Sequence, residues 1–228
     1  MKKLEKKHPL AIRWFHWINF PVLFIMIWSG ILIYWANDVY QIGQGKIAFH
    51  MFPAWFYKPL VVGGTTIVEV GSHLAEGMAW HFFFMWFFMI NGLLYVLYTA
   101  FSGEWRHLLP NRNTFKEAFQ VVMFDLFLSK THPPRQKFNG AQRLAYTGVI
   151  VMGMMSLITG LGIYKPVLFG WLNFLVGGYK NARFIHFWLT MGYCAFFMVH
   201  IAQVIRAGWN NFRAMVTGYE VVKVKEAE

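Results

Sequence analysis

Residues 184–206 read FIHFWLTMGYCAFFMVHIAQVIR, 23 positions with no acidic side chain and one cation, at the last. The run matches the roughly 20 apolar residues that a helix needs to cross a hydrocarbon core about 30 Å thick. Two histidines stand within it, His186 and His200, 14 positions apart. That interval is nearly four turns of about 3.6 residues, so both side chains leave almost the same face. At about 1.5 Å of rise per residue they lie roughly 21 Å apart in depth. One helix therefore carries an imidazole towards each surface of a bilayer.

Outward from this run, three more stretches are long and apolar enough to span: about 14–36, 79–101 and 144–164. Hydrophobic residues are 57% of the 228 and charged residues 14%, against roughly 45–50% and about 25% in soluble proteins. A soluble chain of this kind would expose apolar patches and aggregate. The expected fold is an all-α integral membrane four-helix bundle, a single transmembrane domain over 1–228. A fifth apolar patch, 47–70, is broken by Pro53, Lys58, Pro59, Gly63, Gly64 and Glu69. Its unbroken runs are too short to cross, and it is expected to be an interfacial or periplasmic loop. The Lys-rich start before an apolar run is like a signal peptide, but 14–36 lacks a small-residue cleavage site and reads as a retained anchor.

Sixteen of the 21 Lys and Arg fall in 1–13, 102–143 and 206–228, segments that four spans place on one side. The excess of cations marks that side as cytoplasmic, with both termini there. This predicts a multi-pass membrane protein. The net charge of +11 does not argue for nucleic acid, whose binders cluster basic residues on a folded polar face. A lone cysteine, Cys194, excludes a disulfide scaffold, a thiolate zinc site and a cysteine-held iron–sulfur cluster, and no Cys-x-x-Cys-His run exists for covalent c-type haem. Within 102–143, Asn113 or Thr114 can cap a helix over 114–129 whose Phe115, Phe119, Val122, Met123, Leu126 and Phe127 recur at helical spacing. That pattern predicts a helix lying on the cytoplasmic leaflet. The tail 221–228 is polar and expected to fray.

Of nine histidines, His8, His50, His73, His107 and His132 sit in connections and read as solvated or interfacial polar groups. The other four, His16, His81, His186 and His200, lie in spans, where ionisable groups are rare and usually functional. Topology sorts them by depth: His16 with His200 at the cytoplasmic level, His81 with His186 at the periplasmic level. A lone intramembrane histidine is more often a helix–helix hydrogen bond than a ligand. Four of them, paired in depth and drawn from three helices, form the geometry for two bis-histidine haems stacked across a bilayer. Imidazole suits iron, and two axial ligands leave no open position for substrate, so such centres carry electrons.

Rival readings have their own requirements. A haem-free transporter or proton channel built on a histidine relay needs Asp or Glu in the spans, which contain none. A ferric-reductase-like electron carrier would share the two haems but usually brings a dinucleotide-binding domain, and no Gly-rich loop follows a strand here. Gly30, Gly92, Gly148, Gly153, Gly160 and Gly192 let either a backbone or a flat macrocycle approach closely. The Met-rich run 152–155 reads as apolar filler. Arg13, Arg143, Arg183 and Arg206 border the spans at the depth of haem edges. Each is placed to pair with a propionate, while positive-inside anchoring accounts for three of them as well.

The runs Arg13-Trp14-Phe15-His16-Trp17 and Asn139-Gly140-Ala141-Gln142-Arg143, with His81, Arg183-Phe184-Ile185-His186 and His200, resemble the bacterial diheme cytochrome b subunits. These are the cytochrome b561-like membrane anchors of formate dehydrogenases, nickel–iron hydrogenases and thiosulfate reductases. The resemblance covers all four spans, and the two histidines on the last are its most specific element. It implies two haem b groups, held by His16 with His200 and by His81 with His186. It also implies an exchangeable quinone, menaquinone or ubiquinone, beside the cytoplasmic-side haem, with Asn139 and Gln142 at positions that line the pocket. An amide offers a quinone both a donor and an acceptor; equally, Asn139 can cap the third span while Gln142 faces headgroups. The implied function is an electron-transfer subunit of a quinone-linked oxidoreductase complex in a respiratory chain. Its implied partner is a periplasmic redox subunit with a molybdopterin, iron–sulfur or similar centre. The connection 37–78 is longer than in compact formate dehydrogenase-type members, at the place where a partner docks.

Overall fold

The computed structural model describes residues 2–36, 39–42, 47–50, 60–62, 64–68, 73–130 and 138–223. Along the chain these form β1 (Lys2–Lys6), α1 (Leu10–Ala36), β2 (Val39–Ile42), β3 (Ile47–His50), β4 (Leu60–Val62) and β5 (Thr65–Val68). There follow α2 (Leu74–Ser102), α3 (Trp105–Leu108), α4 (Thr114–Asp125), α5 (Gly140–Tyr164), α6 (Gly170–Leu175), α7 (Tyr179–Ala207), α8 (Trp209–Thr217) and β6 (Tyr219–Lys223). The helices α1, α2, α5 and α7 are long and apolar enough to cross a membrane and coincide with the four expected spans. His132, the 51–59 segment with its prolines, and the tail beyond 223 lie outside the described residues.

The long helices pack as two pairs, α1 along α2 and α5 along α7, with only light contact between α2 and α5. Lipid tails are as apolar as leucine, so such pairs depend on close fit and interhelical hydrogen bonds. Both are present between α1 and α2. At Gly77 a Cβ would stand 2.9 Å from Leu32 Cβ and 3.1 Å from the Ser29 carbonyl. The buried Asn91 amide of α2 donates to the Phe15 carbonyl of α1 at 3.1 Å.

Both chain termini meet at one end of the bundle, here the terminal end. β1 and β6 pair antiparallel, Lys2 opposite Lys223 and Lys6 opposite Tyr219. The expected fraying is therefore corrected for 221–223, which are held in this ribbon. Gly218 makes the turn possible with φ +91°, and its carbonyl accepts from Lys7 N at 2.8 Å. Lys7 Nζ adds an ion pair with Glu220 at 2.6 Å and a hydrogen bond to Asn211 at 3.0 Å. Among the described residues of the expected loop 47–70, β3 pairs with the preceding β2, and β4 with β5.

The helix expected over 114–129 forms as α4 but stops at Asp125, because the chain turns back at Phe127 with φ +60°. Asn113 holds the N-cap position without a side-chain bond; Asn111 does the capping work, accepting from Asn113 N at 3.0 Å and from Thr114 Oγ1 at 2.9 Å. Thr114, Ala118 and Val121 of α4 are buried, and the helix packs on α5. Its predicted apolar stripe, Phe115, Phe119, Val122 and Leu126, faces outward, as a helix at a leaflet surface requires. The α4–α5 contact turns on Gly140, where a Cβ would stand 2.5 Å from the Thr114 carbonyl and 2.6 Å from Ala118 N. Neither backbone atom can yield, so Gly140→Ala should cost about 1–3 kcal/mol. Limited proteolysis should then cut 103–138 faster than in the parent chain.

Candidate functional site

Far from the termini, His81 of α2 and His186 of α7 face each other with ring centres 6.2 Å apart. Each is seated against the other helix of its own pair. His81 Nδ1 lies 3.0 Å from Ser29 Oγ of α1, and His186 Nδ1 lies 2.9 Å from Thr159 Oγ1 of α5. Both hydroxyls are fully buried and have already placed their single proton. Ser29 donates to the Ile25 carbonyl and Thr159 to the Met155 carbonyl, each at 2.7 Å. With the hydroxyl protons on those carbonyls, Nδ1 is assigned as the protonated nitrogen of each ring and Nε2 keeps its lone pair.

The residues that follow the hydroxyls make the seats. A Cβ at Gly30 would stand 3.4 Å from His81 Cε1, and one at Gly160 would stand 3.2 Å from His186 Cε1. The glycines back the Nδ1–Cε1 edges, so the Nε2 edges turn away from α1 and α5. Of the other glycines singled out in the sequence, Gly92 and Gly148 meet nothing within 4 Å, Gly153 approaches Tyr193, and Gly192 receives Met152 Sδ at 3.0 Å. Met152 thus fills a helix–helix gap.

At the terminal end His16 of α1 and His200 of α7 stand with ring centres 6.1 Å apart. His200 stacks on Phe196 one turn earlier, at 5.7 Å and 15°. His16 Nδ1 is buried with no hydrogen-bond partner among the described residues. The pairing by depth expected from the sequence is the pairing that the helices make.

A model of the prokaryotic cytochrome b561 family matches residues 7–218. The chain belongs to this family. It is also 30% identical over 205 residues to the candidate protein-methionine-sulfoxide reductase subunit YedZ1 of Azospira oryzae, which covers 89% of this chain and 92% of that one. As a cytochrome b561, the chain is a multi-pass membrane electron carrier that binds b-type haem.

The donor set of the cytochrome fits that group. Two imidazoles that share one metal through bonds of about 2 Å, with about 1 Å more from each nitrogen to its ring centre, have centres no more than roughly 6 Å apart. Both observed separations agree. Two neutral rings that each keep a lone pair on Nε2 cannot hydrogen-bond one another through those atoms, but one cation between them satisfies both. Among the described residues no three His, Cys, Asp or Glu side chains gather as a metal cage. Two imidazoles suit a metal whose remaining ligands come from a macrocycle.

The other expected site residues are placed as follows. Arg13, three positions before His16, donates to the Val216 carbonyl at 2.6 Å, and Trp17 Nε1 donates to Met215 at 3.1 Å. Arg206 pairs with Asp125 of α4 at 2.5 Å, and Gln203 Nε2 reaches the same carboxylate at 2.7 Å. Arg183 stands in α7 three positions before His186, and Arg143 reaches the Leu109 carbonyl at 3.4 Å. Asn139 and Gln142 form a reciprocal capping box at the start of α5, with Asn139 Oδ1 accepting from Gln142 N at 2.9 Å and Gln142 Oε1 from Asn139 N at 3.0 Å. Both amide oxygens are used in the cap, and the two NH2 groups are the donors left for other work.

Sequence reasoning did not single out Ser29, Thr159, Asn91 or Asp125. The available signal was a hydroxyl followed by glycine, Ser29-Gly30 in the first span and Thr159-Gly160 in the third, although Thr147-Gly148 repeats the pattern in the third span. A bulky side chain at such a seat should displace the ring it backs. Gly160→Val should lower the haem-to-protein ratio of the purified cytochrome, as read by pyridine haemochrome assay, whereas Gly92→Val should leave it unchanged.

Proposed function

We propose that this cytochrome b561 holds two b haems, one at each level, and carries electrons across a bacterial inner membrane between the quinone pool and a separate redox protein on the periplasmic side. The observation that carries the reading is the meeting of four intramembrane histidines as two pairs with centres 6.1 and 6.2 Å apart, one member of each pair supplied by α7. Haem, when bound, supplies a centre that takes up and gives back one electron at a time. The residues of this chain do the rest. His16 and His200 would hold one group and His81 and His186 the other, and two imidazoles per group would keep substrate and oxygen away from the metal. Roughly 21 Å of α7 separates the two levels.

Arg13 and Arg183 are proposed to face haem carboxylates, each one turn before a ligand histidine on its own helix. Arg206 is already neutralised by Asp125. The excess of Lys and Arg in the three connections at the terminal end supports that end being cytoplasmic. Quinone is assigned to the same end, where the Asn139 and Gln142 NH2 groups remain as neutral donors to a carbonyl oxygen. The likeness to a reductase subunit supports a redox partner, and a molybdopterin or iron–sulfur centre would match a one-electron relay. In this reading the chain oxidises or reduces quinone and leaves the chemistry of the partner's substrate to the partner.

Two measurements test this. The purified protein should contain two haems per chain, and His200→Ala should retain one; two haems retained, or both lost, would reverse the assignment. Asn139→Asp keeps the capping oxygen and removes the amide donor. It should leave haem content and thermal stability near those of the parent and slow quinone turnover at least several-fold; unchanged kinetics would reduce Asn139 to a cap.

A further inference from the structure

The two levels differ in what stands behind the imidazoles. At the level of His81 and His186 both Nδ1–H groups are hydrogen-bonded, to Ser29 Oγ at 3.0 Å and Thr159 Oγ1 at 2.9 Å. At the other level His16 Nδ1 is buried and has no such partner among the described residues. The contrast is built into the helices: the same dipeptide pattern, hydroxyl then glycine, occurs on α1 and α5 opposite a histidine of the paired helix. Each hydroxyl passes its own proton to the carbonyl four residues back, so it is locked as an acceptor.

A hydrogen bond from Nδ1–H fixes the tautomer and raises the basicity of the nitrogen on the metal side. A more basic axial ligand stabilises the oxidised metal, and hydrogen bonding behind the ligand is one of the levers by which a protein sets haem potential. We infer that Ser29 and Thr159 are positioning residues that hold His81 and His186 as Nδ1–H tautomers and thereby make the haem of that level the lower-potential centre of the two. The inference rests on the two-haem reading above. It gives the cytochrome a built-in gradient along α7, falling towards the end remote from the termini. Electrons entering at that remote end run downhill to the terminal end, and the opposite traffic needs a partner that draws them off.

Redox titration of the purified, detergent-solubilised protein, followed in the visible haem bands, tests the inference. Ser29→Ala and Thr159→Val should each move the lower of two one-electron waves to more positive potential and leave the other in place. The double variant should move it further, and Ser29→Thr and Thr159→Ser, which keep the hydroxyls, should restore the parent value. In a His200→Ala background the one remaining wave should shift on Ser29→Ala. Two haems retained with neither wave moved, or both waves moved equally, would overturn the inference. If Ser29→Ala releases a haem, the loss must be of one group only and be reversed by Ser29→Thr; unrescued loss also overturns it. A parent protein that holds other than two haems would instead sink the two-haem reading beneath it, and the haem assay reports that separately.

Discussion

An imidazole inside hydrocarbon has two nitrogens to satisfy, and at His81 and His186 the helices satisfy one on each ring. Leaving a buried polar nitrogen without a partner costs on the order of several kcal/mol, and water is scarce at this depth. Ser29 and Thr159 take the Nδ1 protons, which leaves two lone pairs whose mutual need is a shared cation. Much of the architecture follows from that need. The hydroxyls must be buried, small residues must follow them so that the rings fit, and each ring must come from the neighbouring helix of its own pair. The division into α1–α2 and α5–α7, with little contact across, sets the two rings of a level on opposite sides of a common space.

The terminal end is organised differently. Here cations and amides near the histidines are engaged by backbone or side chains: Arg13 on Val216, Arg206 on Asp125, and the Asn139–Gln142 box on itself. The first of these contacts fastens α8 to the first turn of α1 and the second fastens α4 to the last turn of α7, while the box caps α5. Arg13, Gln203 and Arg206 thus lie within two turns of His16 and His200 along α1 and α7, whereas at the remote level the histidines are seated by two hydroxyls.

The four spans and the depth pairing were legible in the sequence because both depend on quantities it states directly, apolar run length and residue spacing along α7. The seats of the histidines were not, since Ser29 and Thr159 act on rings carried by another helix, and which faces meet is decided only when helices pack. Gly77 illustrates the same limit: it lets α1 and α2 approach closely, yet it lies before the expected second span and looks like a loop residue. The terminal ribbon was hidden for another reason. The polar tail reads as frayed until it is seen to be the strand partner of the Lys-rich start, 213 to 221 positions away, a separation that no local pattern reports. Helix α4 was found but read too long, because hydrophobic spacing runs on through Phe127 while the backbone turns at that residue.

The contribution of α7 to both levels has a consequence for biogenesis. Neither histidine pair exists until the final spanning helix has left the ribosome and entered the bilayer, since His16 and His81 both wait for partners from it. In the proposed reading, neither ligand set is complete before α7 is in place, so loading of either group waits for insertion of that helix.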